Sequence, residues 1–572
     1  MSKLPLILIL LLALFMRTWN LNQAPASLYW DEMDVGYQAY SLLKTGKDYF
    51  GSFNPLVTHS FADFRAPLLI YSTIPFVAIL GLNSISVRLP AAIFGTISVL
   101  LIYILTLQLF NNRKTALIAA LLTALAPWNI HYSRMAFEAT LMLSLFLTGL
   151  TSFLRGLTKP KWFIASSIFF GLSLFAYNTA KLFVPLILLV LVFLYLRTKQ
   201  FKKNLLIPTL IFGLIYMGSL YGTVFLNGGQ RFSEVSVFTD PQIVSQIDRI
   251  RYDSGVSYAP SIETGQGVRF LDKILYNKVT YVLDIVARNY LQAFSTHFLY
   301  LEGDPNLRHS TSKTGEFYPI EILTIFAGLI VLVLGLKKHR KSSLLLLIWI
   351  LIAPLSAVVT RDGGTHASRL FFLFPALTLT SALGFTSILE NSPKKLKYVL
   401  PVLISAIWLF NVAFFFNFYF GYYQITGAKS FQYGFNEAVA EAMESKKKYE
   451  YVIIDDRRDS ALMNYLFMTN YDPHSFQSNL KSLDFELLQS RGDKLDNIIL
   501  MKPGERNWKT IFKKNQLDKN YLLIVSSEQL NEEAQEKVGE RLTENQKLLK
   551  VIYYKSGTPA FYVIESKQPK PI

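Results

Sequence analysis

The sequence predicts a polytopic α-helical membrane protein that carries a small α/β domain after its last span. Apolar residues make up 51% of the 572 residues and charged residues only 17%, below the roughly 25% of soluble domains. Apolar runs of about 20 residues, enough to cross a bilayer core, recur through residues 1–420. The 57 Lys and Arg exceed the 40 Asp and Glu, and nearly all of that +17 excess lies before residue 428.

The chain opens with Lys3 and an apolar run over residues 4–16. We expect a retained first helix with its N-terminus in the cytoplasm, because many further spans follow. A cleaved signal peptide is the alternative, with residues 24–26 (Ala-Pro-Ala) as a weak cleavage site.

Clear spanning runs occur at residues 91–110, 142–154, 182–196, 205–226, 320–336, 344–359, 370–389 and 398–420. Short basic linkers occur at residues 113–114, 155–161, 197–203, 337–341 and 394–397. The positive-inside rule places these linkers in the cytoplasm. The linkers between them are then outside, at residues 129–138, 177–181, 227–319 and 360–369.

This alternation of cytoplasmic and outer linkers requires that residues 67–82 do not cross the membrane. The segment is short, contains Pro67 and Pro75, and is expected to lie as a juxtamembrane or re-entrant helix against the outer face. The prediction is about eleven crossings in the cytoplasmic membrane, with a first outer loop at 22–87 and a large outer loop at 227–319.

Residues 428–572 hold 22 basic and 21 acidic residues, a composition that argues against a nucleic-acid surface. Apolar runs at residues 451–454, 497–501, 521–525 and 548–554 alternate with polar, helix-like stretches such as 528–549. We therefore expect an extracytoplasmic α/β domain of about four strands. Its boundary with the transmembrane domain (1–420) falls within residues 421–434. The chain has no cysteine, which excludes disulfides and thiolate metal sites.

The first outer loop begins with Trp30-Asp31-Glu32-Met33-Asp34. Adjacent carboxylates at a membrane surface raise one another's pKa and can act as a base or as ligands of a divalent metal. The alternative is that Asp31 only caps a helix over residues 32–43.

Two further motifs fall in outer linkers. Arg134 and Glu138 flank the start of one span, and charges at such a boundary are usually functional. An i,i+4 salt bridge, or an Arg that reaches lipid headgroups, is the alternative. Tyr177 and Lys181 lie in the next outer linker, where a single lysine can also be an interface anchor.

The large outer loop contains residues 302–309, in which Asp304, Arg308 and several turn residues cluster; a tight turn explains them equally well. Residues 361–369 bring His366, Arg369 and a Gly pair to one helix start. Arg side chains and free N–H groups at such a place bind phosphate. A flexible anchoring loop is the other interpretation.

The order of these features resembles the GT-C membrane glycosyltransferases, in particular the group of protein O-mannosyltransferases and lipid A aminoarabinose transferases. The residues on which the resemblance rests are Trp30-Asp31-Glu32, the segment 64–67 (Phe-Arg-Ala-Pro), and Arg134 with Glu138. The resemblance covers about residues 1–420. It implies transfer of a hexosyl or pentosyl group from a polyprenyl-phosphate donor, at the outer face and with inversion. The acceptor would be a hydroxyl of a lipid, glycan or protein.

The resemblance also implies roles. Asp31 would be the general base, with Glu32 and Glu138 as further acids and, if a divalent metal binds, as its ligands. Arg65 stands near the place where some relatives carry a metal-binding carboxylate, which argues against that metal site. The expected donor-phosphate residues are Arg134, Lys181, His366, Arg369 and Arg65. The expected substrate residues are Tyr177, Asp304 and Arg308.

Two other functional classes stay open. A transporter or flippase of a lipid-linked sugar would place charges at mid-membrane and often shows repeated halves. A membrane-anchored binding protein would need only one or two spans. The outer-face cluster of acids and cations, without an internal repeat, favours the transferase.

Overall fold

The computed structural model describes residues 3–54, 56–60, 64–255, 274–393, 396–455, 461–482, 493–495, 497–501, 520–527 and 546–566. Up to the end of the large outer loop, the described helices are α1 Leu4–Thr18, α2 Trp30–Thr45, α3 Leu68–Leu80, α4 Ser84–Phe110, α5 Arg113–Leu125, α6 Pro127–Ser133, α7 Glu138–Gly156, α8 Trp162–Ser173, α9 Ala180–Tyr195, α10 Lys199–Lys203, α11 Leu206–Phe225, α12 Gln230–Val235, α13 Ile243–Gly255 and α14 Lys278–Gln292. A two-stranded hairpin, β1 Thr58–His59 and β2 Phe64–Arg65, lies between α2 and α3.

The described helices that follow are α15 Glu321–Gly335, α16 Arg340–Ile352, α17 Leu355–Val358, α18 Leu373–Asn391, α19 Val399–Asn417, α20 Tyr423–Thr426, α21 Phe435–Ser445, α22 Ala461–Met468 and α23 Pro473–Ser482. Two π-helical turns, His297–Leu301 and Phe418–Tyr422, lie at the ends of helical segments.

By length and composition, six helical segments of the described chain can cross a membrane: Ser84–Phe110, Glu138–Gly156, Leu206–Phe225, Arg340–Val358, Leu373–Asn391 and Val399–Thr426. Five shorter apolar helices accompany them, at Leu4–Thr18, Leu68–Leu80, Trp162–Ser173, Ala180–Tyr195 and Glu321–Gly335. The molecule is thus a multi-pass helical protein, and the number of about eleven crossings stays a prediction. Helix α3 has 13 residues, about 20 Å at 1.5 Å per residue, which is shorter than a bilayer core. Helix α8, with 12 residues, is shorter still, so length alone does not separate the two, and the absence of a crossing at α3 stays a prediction.

Close helix packing in the bundle depends on glycine. Helices α15 and α18 meet at Gly328 and Gly384, where an added Cβ would lie 1.8 Å from the carbonyl oxygens of Thr380 and Thr324, respectively. Only a residue without a Cβ permits this approach of two backbones, which is typical of helix pairs in membranes.

After residue 428 the described strands form a six-stranded mixed sheet in the order β4-β5-β3-β6-β8-β7. The strands are β3 Tyr451–Asp455, β4 Asp493–Leu495, β5 Ile498–Met501, β6 Tyr521–Ser526, β7 Gln546–Tyr553 and β8 Pro559–Ser566. Strand β3 runs parallel to β5 and β6, and the outer pairs are antiparallel. The described residues of this part thus contain both helices and strands, with six strands where about four were expected. Of the expected helical stretch 528–549, residues 546–549 belong to β7 and the others lie outside the described residues.

Helices α22 and α23 of this C-terminal part pack directly on α2. The Tyr37 hydroxyl donates to the Tyr471 carbonyl at 3.0 Å, and Nε2 of Gln477 lies 2.8 Å from the Asp48 carbonyl. An added Cβ on Gly36 would lie 2.7 Å from the Phe467 ring. The helix that carries Asp31 is therefore held from both sides, by the bundle and by the C-terminal helices.

Candidate functional site

A cavity of about 920 Å³ opens where the predicted outer loops meet. Eight of the eleven residues singled out from the sequence line it: Asp31, Arg65, Glu138, Tyr177, Lys181, Arg308, His366 and Arg369. The other three, Glu32, Arg134 and Asp304, do not. Elements far apart in sequence thus converge on one chamber that mixes acids, cations and aromatic rings.

Asp31 lies in the first turn of α2, and its side chain is 28% exposed. The helix begins at Trp30 and its N-cap residue is Tyr29, so the alternative in which Asp31 caps the helix is wrong. The Asp31 carboxylate pairs with the Arg65 guanidinium. Its second oxygen lies 4.0 Å from Nη1 of Arg308. Arg308 in turn stacks on the Trp30 ring, 4.9 Å from its centroid.

Arg65, on the hairpin strand β2, contacts two further acids. Its Nε lies 3.4 Å from Oδ2 of Asp34, and its Nη1 lies 3.8 Å from Oε1 of Glu138. Asp34 is fully buried and accepts a hydrogen bond of 2.7 Å from the Tyr49 hydroxyl. Our sequence reasoning did not include Asp34 in the site. Its i,i+3 spacing from Asp31, which puts both on one helix face, is the signal that could have found it.

Glu32 points away from the cavity, although it is adjacent to Asp31 in sequence. It is fully buried and forms a two-pronged ion pair with Arg88 of α4, with both N–O distances at 2.9 Å. Its Oε1 also accepts from the Ala136 amide at 3.0 Å. Glu32 thereby joins α2 and α4 to the segment that leads to Glu138. Arg88 was missed, although a charge inside an apolar run is itself a signal.

Arg134 is also buried outside the cavity. Its guanidinium donates to the carbonyl oxygens of Met16, Trp19 and Ala24, at 2.7, 2.9 and 2.8 Å. It also stacks on Phe420. These carbonyls belong to the C-terminal end of α1 and the turn that follows, where unsatisfied carbonyls carry partial negative charge. Arg134 therefore fastens α1 to the bundle, and its position does not support the predicted contact with donor phosphate.

Lys181 and Arg369 are two further cations of the cavity lining. Nζ of Lys181, at the start of α9, donates to Thr223 of α11 at 2.7 Å. Nη1 of Arg369 donates to Thr360 at 2.7 Å, and the same guanidinium pairs with Asp362. These groups are held by side chains on the cavity wall, where an anionic ligand could also reach them.

Tyr177 and His366 are linked through Ser368, at 2.9 Å from the tyrosine hydroxyl and 3.0 Å from Nδ1 of the histidine. This chain of hydrogen bonds connects the linker before α9 with the loop before α18. It fixes the orientation of two polar rings at the cavity wall.

Asp304 lies behind this wall and is buried. Burial raises the pKa of its carboxyl to about 6, although hydrogen bonds from the amides of Ala367 and Asn306 oppose the shift. His309 bonds the Tyr132 hydroxyl at 3.0 Å, and burial holds the pKa of its imidazole well below the usual value. Asp304 therefore organises the loop and does not face the cavity.

Asp304, His309 and His366 also offer donor atoms that lie within 4.8 Å of one another. Two imidazoles and one carboxylate form a donor set typical of zinc. Within the described residues, this set fits a metal ion better than Asp31, Glu32 and Glu138 do, because Glu32 is turned away to Arg88 and the other two face Arg65.

Part of the predicted large outer loop, which we call the roof, lines the cavity. Its segment 228–238 contributes Gly228, Gly229, Phe232, Val235 and Phe238 to the lining. The Val237 amide donates to the Val359 carbonyl at 3.0 Å, and the Arg361 amide donates to the Val235 carbonyl at 2.9 Å. The roof is thus tied to the loop that carries His366 and Arg369.

Part of the chain resembles proteins of known family. Residues 65–221 match a family model described as dolichyl-phosphate-mannose-protein mannosyltransferase. YycA of Bacillus subtilis strain 168, named as a candidate mannosyltransferase, is 28% identical over 225 residues. That match covers 38% of this chain and 30% of YycA.

Two solved structures share the overall fold. ArnT from Cupriavidus metallidurans, solved with bound undecaprenyl phosphate, gives a TM-score of 0.52 at 10% identity and covers all of both chains. The archaeal oligosaccharyltransferase AglB from Archaeoglobus fulgidus, in complex with an inhibitory peptide and a dolichol-phosphate, gives 0.50 at 13% identity, covering 92% of this chain and 69% of its own. The resemblance to GT-C glycosyltransferases is confirmed, and the chain has their fold.

Proposed function

We propose that the protein is a glycosyltransferase that moves a sugar from a polyprenyl-phosphate donor to a hydroxyl acceptor, in the cavity at the outer face of the membrane. The observation that carries the proposal is the placement of a partly exposed carboxylate, Asp31, and phosphate-type cations, Lys181 and Arg369, in one chamber. Both ArnT and AglB, which share the fold, were solved with a polyprenyl-type phosphate.

Asp31 is the proposed general base. Its carboxylate takes the proton of the acceptor hydroxyl while the hydroxyl oxygen attacks the anomeric carbon from the side opposite the phosphate. The bond between that carbon and the phosphate oxygen breaks, and polyprenyl phosphate leaves with the electron pair. A single displacement of this kind inverts the configuration. Because phosphate is a good leaving group, the step needs no strong general acid.

Lys181, His366 and Arg369 are the proposed donor-phosphate residues. Negative charge grows on the phosphate as the sugar departs, and cations already fixed in place stabilise that charge without reorganisation. The hydrogen bonds of Lys181 to Thr223 and of Arg369 to Thr360 provide this fixed placement. Tyr177 and Arg308 line the same cavity and are proposed to contact the sugar or the acceptor. We assign Arg65 to the carboxylates that it contacts, Asp31, Asp34 and Glu138, and not to the donor phosphate.

The lipid tail of the donor can reach the cavity along α11. Leu220 and Thr223 of this helix line the chamber, whereas Leu214 and Phe225 are 78% and 71% exposed. An apolar helix with one face on a polar chamber and another open to the surroundings supports a chamber at the lipid boundary. This position favours a lipid-linked donor over a soluble one.

The test is turnover of a polyprenyl-phosphate donor with a labelled sugar, by the full chain in membranes that supply the acceptor. The wild type should release free polyprenyl phosphate and pass the label to an envelope component. Asp31→Asn should abolish both while the protein accumulates normally. Asp248→Asn, which changes an exposed acid of α13 that does not line the cavity, is the matched control. Full turnover by Asp31→Asn would refute the base assignment, and movement of the donor without cleavage would indicate a flippase.

A further inference from the structure

Arg65 is surrounded by carboxylates from two other elements of the fold. Asp31 and Asp34 come from α2 and Glu138 from the start of α7, and each has an oxygen within 4 Å of the guanidinium. The Arg65 side chain is only 13% exposed. One cation is thus shared by three acids on the wall of the cavity.

Three carboxylates around one point are the arrangement in which proteins hold a hard divalent cation. Asp31 and Glu138 are two of the three residues to which the sequence assigned such a metal. The third, Glu32, is sequestered by Arg88. Any divalent ion at Asp31 and Glu138 would have to bind beside the Arg65 guanidinium, with strong like-charge repulsion in a partly buried site.

We propose that Arg65 is the resident cation of this acid cluster and takes the place of a divalent metal ion at Asp31 and Glu138. This inference rests on the proposed function and deepens it, because it names Arg65 as the group that orients the proposed base, Asp31. A guanidinium donates in fixed directions, so Arg65 holds one oxygen of Asp31, while the other oxygen lies 4.0 Å from Nη1 of Arg308, which also lines the cavity. Unlike a metal ion, Arg65 cannot be removed by a chelator.

The experiment measures Mn²⁺ binding to the full chain in detergent by electron paramagnetic resonance. Four proteins are compared: the wild type, Asp31→Asn, Arg65→Ala and the double variant. Arg288→Ala is the matched control, because it removes an exposed Arg that is paired with a single carboxylate, Asp284. Any Mn²⁺ held by Asp304, His309 and His366 is common to all five proteins and cancels in the comparison.

The wild type and Asp31→Asn should bind the same number of Mn²⁺ ions. Arg65→Ala should gain one ion per chain, and the double variant should lose it again, while Arg288→Ala matches the wild type. A Mn²⁺ ion that the wild type binds and Asp31→Asn does not would overturn the proposal. So would a folded Arg65→Ala that gains none.

Where Arg65→Ala does not fold, a Mn²⁺ ion that the wild type binds and Asp31→Asn does not would still overturn the proposal. Binding is read without sugar transfer. Failure of the proposed reaction would therefore leave these outcomes unchanged, and the two proposals can fail separately.

Discussion

The neighbouring acids Asp31 and Glu32 should respond to substitution in opposite ways, because one faces the cavity and the other the core. Glu32 and Arg88 are both fully buried. Arg88 also donates to the carbonyls of Leu21, Pro25 and Ser27. Arg88→Met removes the cation and leaves the Glu32 charge buried, which costs about 3–5 kcal/mol.

Glu32→Gln keeps the shape, but its single amide oxygen can accept only from the Ala136 amide and Nε of Arg88. The bond from Nη2 of Arg88 is lost, since an amide NH2 cannot accept it. The Arg88 charge then stays buried without a counter-charge, at about 3–5 kcal/mol. The double variant Glu32→Gln/Arg88→Met should lose less than the sum, since neither charge is then left alone. Asp31→Asn should cost under about 1 kcal/mol, because Asp31 and its partner Arg65 are both partly exposed.

The assay is unfolding in mixed micelles at increasing SDS, with far-UV circular dichroism as the readout, followed by transfer activity of the folded protein. Equal stability losses for Asp31→Asn and Glu32→Gln would refute the division of roles. So would strict additivity of the Glu32 and Arg88 substitutions, because residues that form a direct ion pair must be coupled.

Further expected outcomes concern the donor, the bundle and the C-terminal part. Lys181→Met should raise the donor KM roughly 10- to 100-fold, because one charged hydrogen bond to the donor is lost. The exposed control Lys159→Met should leave the KM unchanged. An unchanged KM for Lys181→Met would exclude Lys181 from donor binding. Gly328→Ala should cost roughly 1–3 kcal/mol of stability, because the added methyl overpacks the contact, and so should lower the SDS midpoint. Gly213→Ala, whose added Cβ has nothing within 4 Å, should not. Equal midpoints would contradict the close approach of α15 and α18. Gln477→Ala should speed proteolytic release of the C-terminal part, measured by gel, because the Gln477 side-chain amide donates hydrogen bonds to Thr45 of α2 and to the Asp48 carbonyl. An unchanged rate would show that this contact does not keep the C-terminal part on α2.

Helix positions followed closely from apolar runs, because lipid and core both select apolar side chains. The run at 205–226 corresponds to α11, Leu206–Phe225. The run at 142–154 is shorter than α7, Glu138–Gly156, since the first turn of that helix carries polar residues that a hydropathy criterion rejects. In the C-terminal part, β4 and β8 were not predicted. Strand β4 is a three-residue edge strand without an apolar run, whereas β8 contains the apolar run 560–564, a signal that could have found it.

The site could be predicted as a set of loops but not as a set of contacts. The positive-inside rule predicted that the loops of Asp31, Lys181 and His366 lie on one side of the membrane, and these residues do line one cavity. Adjacency in sequence misled the interpretation of Glu32, because successive helical residues point about 100° apart. The partners Arg88 and Arg65 depend on tertiary packing, which no local spacing in the sequence reveals.

The most direct test of the central claim is an experimental structure of the full chain with polyprenyl phosphate bound. The phosphate should lie in the cavity, within hydrogen-bond distance of Lys181 or Arg369, and its lipid chain should leave along α11. Asp31 should face the position of the missing sugar. A phosphate bound at any other face of the molecule, with the cavity left free, would contradict the account.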